Sequence, residues 1–154
     1  MVWKNRCHTY FRIIGNFKPE EITKKLGLRP FRTLKNGDKL NNKSRKASAI
    51  WDYGICRKYD VDVTEQMEKT IESLKDKTEI LNQIRHDYQC LMILEIFPTV
   101  YVNEIAPNFS PSMAVVKFCH ETRTKINVKM VVKEKSAILH FLKRVLNIQK
   151  KKHL

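Results

Sequence analysis

Apolar and polar positions alternate weakly along residues 7–14 (CHTYFRII), a run rich in aromatic and β-branched types that predicts a strand. Cys7, Thr9, Phe11 and Ile13 would share one face, and His8, Tyr10, Arg12 and Ile14 the other. After Gly15 and Asn16 the period changes. Pro19 suits a first helical position, Glu20 and Glu21 meet the positive end of the helix dipole, and Ile22 and Leu26 fall on one helical face. Gly27 and Pro30 stop that helix. Residues 33–47 (TLKNGDKLNNKSRKA) read as a polar loop, with turn chemistry at Asn-Gly-Asp.

Residues 48–56 (SAIWDYGIC) predict a second strand. Asp62 and Glu65 have the spacing of a capping box. Met67, Ile71, Leu74, Leu81, Ile84 and Tyr88 then keep helical spacing, so residues 63–88 predict one helix or two end to end. Residues 90–97 (CLMILEIF) predict a buried strand or core segment, with Pro98, Pro107 and Asn108 marking a loop. Ser110 and Pro111 open a helix to about Glu121. Residues 125–132 (KINVKMVV) alternate as a last strand, with Ile126, Val128, Met130 and Val132 on one face and Lys125, Asn127 and Lys129 on the other. Ser136 caps a final helix over 137–149, apolar at Ile138, Leu142 and Val145. The order β-α-β-α-β-α-β-α predicts an α+β fold. Its arrangement is a two-layer sandwich, one mixed or antiparallel sheet of about four strands with helices packed on one face. Residues 1–132 form one domain in this reading, and 133–154 a basic helical extension.

Charge changes the picture because it is unevenly placed. The 154 residues carry a formal net charge of +14. Residues 24–58 hold 11 basic and 2 acidic side chains, and 133–154 hold 7 and 1, whereas 59–132 are slightly acidic. Such a field implies an acidic partner: a protein face, nucleic acid or a membrane surface. The membrane reading is the weakest, since positive charge in the final helix clusters at one end rather than along a face. Docking on the domain's own sheet and association with a partner are the two other expectations for that helix. No apolar run approaches the roughly 20 residues that cross a bilayer, and the N-terminal residues lack the apolar core of a signal peptide. A cytoplasmic protein is expected. Cys7, Cys56, Cys90 and Cys119 contain no C-x-x-C pair and read as small hydrophobes rather than disulfides.

The opening stretch also resembles an uncharacterised, mostly bacterial family of domains of unknown function. The residues that carry the resemblance are Phe11, Ile13, Gly15 and Phe17, the Pro-Glu-Glu-Ile-Thr start at 19–23 and the Leu-Gly-Leu at 26–28. Pro30, Arg32, Thr33, Gly37 and Asp38 continue it, and Trp51 falls where the family tends to place a strand tryptophan. It extends over roughly residues 8–132. Lys18 departs from it, standing at a capping position where Asp or Ser is frequent, and the basic tail is an addition. The resemblance implies the fold and no established activity. Domains of this kind look like components of bacterial and phage conflict or regulatory systems.

Catalytic and cofactor motifs are missing from the sequence. It has no G-x-G-x-x-G, Walker loop, G-x-S-x-G or H-E-x-x-H. Cys7-His8 and Cys119-His120 are its only Cys–His neighbours; on a strand Cys7 and His8 point to opposite faces and do not chelate as a pair, and a site built from both pairs would need the fold to bring them together. No cofactor, metal or catalytic residue is expected; an enzyme would require a clustering of His8, His86 or His120. The expectation is a non-enzymatic binding module for an acidic protein, of the inhibitor, immunity-type or regulatory kind. Its contact residues would be Arg29, Arg32, Lys35, Lys39, Lys43, Arg45 and Lys46. The alternative is nucleic-acid binding through the same loop and an open sheet face bearing Tyr10, Arg12, Lys125 and Lys129, where bases stack among cations. Glu95 would sit badly in that surface.

Overall fold

In the computed structural model, which describes residues 5–38, 48–59, 62–105 and 107–134, the alternating opening run becomes the central strand β1 (Arg6–Gly15). Phe11 and Ile13 on its inner face are fully buried. A Cβ on Gly15 would meet the Cys90 Cβ at 2.8 Å, so only glycine closes this strand. Helix α1 (Pro19–Leu26) follows. Lys18 makes no side-chain cap, so its start relies on Pro19 and on the two glutamates at the dipole's positive end. Gly27, at φ 64°, ends it by donating its N–H to the Thr23 carbonyl.

Strand β2 (Arg32–Leu34) comes next, then β3 (Ala49–Tyr59), which pairs antiparallel with both β2 and β1. Trp51 is completely buried, and its Nε1–H donates to Thr23 Oγ1 at 3.0 Å, tying β3 to α1. Between the pairs Thr9–Cys56 and Phe11–Tyr53, β3 places Gly54 and Ile55 against Tyr10 alone. Gly54 accepts the bulge at φ 69°, and its missing side chain leaves room for the Thr70 carbonyl, 2.9 Å from where a Cβ would lie.

The long helical pattern resolves into two helices, α2 (Val63–Ile71) and α3 (Thr78–Tyr88), joined through a 3-10 turn at Lys75–Lys77. Asp62 caps the first through the Thr64 N–H. The break lets Leu74 turn fully into the core. Strand β4 (Leu91–Tyr101) runs antiparallel to β1 and continues straight through Pro98. Helix α4 (Met113–Thr122) starts two residues later than expected, with Ser112 rather than Ser110 as its cap.

The expected last strand divides into β5 (Lys125–Val128) and β6 (Val131–Lys133), both parallel to β4. Pro98 accounts for the gap. Ile96 turns its carbonyl towards β5, where it accepts from the Lys129 N–H, and Pro98 has the same orientation two residues on but no N–H to give. The sheet therefore has six strands rather than about four, in the order β2-β3-β1-β4-β5 with β6 also on β4. The difference comes from three residues assigned to the basic loop and from one strand cut in two. The fold is α+β with a mixed, open sheet, and α1 and α2 pack on its β1–β3 half. No helix among the described residues is long and apolar enough to cross a membrane. The expected helix at 137–149 lies outside the described residues.

Candidate functional site

Among the described residues, the sheet face opposite the helices carries a dense network of polar side chains. Register places Arg32, Asp52 and Arg12 side by side on β2, β3 and β1, and Tyr10, Glu95 and Asn127 side by side on β1, β4 and β5. Asp52 is 0% exposed and Glu95 1%. Charged groups so buried are tolerated only when paired and hydrogen-bonded, and both are. Arg12 donates from Nε to Asp52 Oδ1 at 2.8 Å and from Nη2 to Oδ2 at 3.0 Å. Arg32 adds Nε and Nη2 to the same Oδ2, at 2.7 and 2.5 Å. The other end of the Arg12 guanidinium stands 3.6 Å from Glu95, which accepts from the Asn127 amide at 2.7 Å and lies 3.5 Å from Lys129 Nζ. Charge thus alternates across the sheet as Arg32, Asp52, Arg12, Glu95, Lys129, with a cation at each end.

Aromatic rings fill the space beside this row. His8 stacks on Phe97 at 4.7 Å, Phe97 on Tyr10 at 5.6 Å, and Phe31 meets Tyr10 edge-on at 5.5 Å. The guanidinium carbons of Arg12 and Arg32 lie 5.2 and 5.8 Å from the centre of the Tyr10 ring, and Lys129 Nζ lies 5.3 Å from that of Phe97. The hydrogen bond to Asp52 raises Arg12 above its ordinary pKa. Burial pushes the Tyr10 hydroxyl up.

The expected contact residues are placed unequally. Arg29 is exposed ahead of β2. Lys35 is also exposed, but it pairs with Glu20 at 3.0 Å. Arg32 belongs to a strand rather than a loop and is held by Asp52. Lys39, Lys43, Arg45 and Lys46 lie outside the described residues. Tyr10, Arg12, Lys125 and Lys129 do share the open face, but Tyr10 is only 6% exposed. Its ring is packed between Phe97, Phe31 and two guanidiniums and offers no bare surface to a base. The misfit of Glu95 is resolved by Arg12, Asn127 and Lys129. The sequence reading passed over Asp52 and Phe31. An aspartate inside the apolar run AIWDYGIC was the available signal, since a strand buries it only with a cation opposite.

Elsewhere the chemistry is sparse. A groove of about 800 Å³ lies between the β1–α1 turn and Tyr88. Its acids are engaged, Glu20 by Lys35 and Glu21 by the Tyr88 hydroxyl at 2.8 Å. His8 lies on the open face, while His86 and His120 lie on α3 and α4 of the other layer. No three His, Cys, Asp or Glu side chains converge as a metal site requires, among the described residues.

The profile of a family described as a domain of unknown function (DUF4279) matches residues 5–133. No curated protein and no solved structure matched the chain.

Proposed function

We propose, for a chain that belongs to the DUF4279 family of domains of unknown function, that it is a non-enzymatic binding module whose open sheet face engages an acidic protein. One observation carries this reading. Asp52 and Glu95 are buried and shared among three cations, Arg12, Arg32 and Lys129, so with Lys125 the described face carries net positive charge and exposes no carboxylate of its own. Arg32, Lys125 and Lys129 stand out from it beside Phe31 and Leu91, which are 43% and 37% exposed. Arginine and aromatic side chains in one patch are the usual anchors of a protein interface, and the chain's formal charge of +14 would draw an acidic partner to the molecule. An inhibitory or regulatory module needs no more than such a face. The nucleic-acid reading is less well supported, because Tyr10 and Arg12 are consumed by internal contacts.

The test is fluorescence anisotropy of a labelled poly-glutamate peptide, single-stranded RNA and duplex DNA against the purified protein across a salt series. Preferential binding of the peptide is expected, weakened in a Lys125→Gln/Lys129→Gln variant. Tighter binding of RNA or DNA, with log K falling linearly in log salt, would replace this reading with the nucleic-acid one.

A further inference from the structure

Within that reading, which this inference rests on, the geometry points to Arg32 as the residue that takes a carboxylate of the partner by exchanging it for Asp52. Three observations converge on it. First, Asp52 does not need Arg32. Arg12 alone covers both oxygens, Oδ1 through Nε and Oδ2 through Nη2. Arg32 only adds to an oxygen already occupied. Its departure leaves each buried carboxylate oxygen with a donor from Arg12, so the exchange avoids the full penalty for stripping a buried charge of its partner.

Second, the two arginines differ in access. The Arg12 side chain is 15% exposed and fixed on the central strand, whereas that of Arg32 is 48% exposed on the three-residue edge strand β2. The Arg32 guanidinium lies against Asp52 and near the Tyr10 ring, half-exposed and within reach of an incoming group. A planar guanidinium so presented suits two parallel hydrogen bonds to one carboxylate, which a lysine ammonium cannot copy.

Third, Phe31 precedes it and exposes part of its ring while the edge packs on Tyr10. The backbone N–H of Phe31 donates to the Asp52 carbonyl at 2.9 Å, so the pair Phe31–Arg32 is anchored to β3 at the residue whose side chain Arg32 holds. An apolar contact beside a carboxylate-binding fork defines the ligand class. It is an acidic polypeptide segment in which an Asp or Glu side chain lies next to an apolar one.

The experiment titrates a labelled Glu- and Leu-containing peptide into isotopically labelled protein, following arginine Nε–H signals by NMR and affinity by anisotropy. An Arg32→Lys variant identifies the Arg32 signal. Saturable movement of that signal, with Arg12 unmoved, is expected. Affinity should fall about tenfold in Arg32→Lys, the scale of one lost charge-assisted contact, and less in Lys125→Gln. Peptide binding that leaves the Arg32 signal and the Arg32→Lys affinity unchanged overturns the exchange while leaving the acidic-partner reading in place. Absence of peptide binding in the wild type removes both. Circular dichroism of Arg32→Lys separates a lost contact from a lost fold.

Discussion

Arg12 faces Asp52 directly across the β1–β3 pair and donates to both of its carboxylate oxygens, although the aspartate has no exposure at all. The pair sits at the centre of the sheet, where loss of Arg12 leaves Oδ1 of a fully buried carboxylate without its donor and Arg32 alone on Oδ2. Arg12→Met should therefore destabilise the fold by about 3 kcal/mol or more, the range for breaking a buried ion pair from one side. Arg12→Met combined with Asp52→Leu should cost clearly less than the two single changes added together. Urea unfolding of the four proteins measures this, and additive losses would mean that the two side chains are not coupled.

Much of this fold was legible because its inner face obeys simple periodicity. Phe11 and Ile13 alternate inward, Ile22 and Leu26 fall on one helical side, and all four are buried. The open face resisted reading for the opposite reason. Its order comes from cross-strand register, with Arg32, Asp52 and Arg12 brought abreast from positions 20 and 40 residues apart. No local pattern encodes such pairing, so Tyr10 and Arg12 looked like surface groups when both are committed to the sheet. The misplaced end of the 90–97 strand has a different origin. Pro98 ordinarily closes a strand, but here its missing N–H faces the β5–β6 side, where it splits the neighbouring strand, while the ladder with β1 runs on unbroken.

The bulge opposite Tyr10 depends on one residue. Gly54 combines a left-handed backbone with a carbonyl oxygen of α2 where a side chain would begin. Gly54→Ala adds both a conformational penalty and a clash with backbone that has no rotamer to yield. A loss of about 2 kcal/mol is expected, visible as a drop of several degrees in Tm. An unchanged Tm would show that β3 accommodates the methyl by shifting its register.

Gln66 presents the reverse case, a residue whose replacement should strengthen the protein. It is completely buried on α2, and neither its Nε2 nor its Oε1 has a hydrogen-bond partner among the described residues. The helix is instead tied to β1 by Thr9, whose hydroxyl lies 2.6 Å from that of Thr70 and 3.3 Å from the Gln66 carbonyl. Those contacts survive any change at the Gln66 side chain. Gln66→Met keeps the shape and removes the unsatisfied amide, for a gain of about 1 kcal/mol. The denaturation midpoint should rise with no change in m-value. A lower midpoint would reveal a role for the amide that its surroundings give no sign of.

The buried thiols make stability depend on alkaline pH in a predictable direction. Burial pushes the thiols of Cys90 and Cys119 from 9.0 up to about 11. Between those values the unfolded chain ionises both groups while the folded chain keeps them protonated. The unfolded state then binds fewer protons, and by linkage stability falls as pH rises through that window; below about pH 9 the effect vanishes. Tyr10 and Tyr88, also raised, contribute in the same sense. The cysteine share is isolated by comparing wild type with a Cys90→Ala/Cys119→Ala variant. The variant is less stable at pH 8 because two buried side chains are truncated, but its urea midpoint should decline less steeply from pH 8.5 to 10.5. Alkylation should agree, with both thiols slow to react with iodoacetamide at pH 8 in the native protein and rapid in urea. Parallel midpoint profiles, or fast native alkylation, would mean that these cysteines sit in more open surroundings than their burial within the core requires.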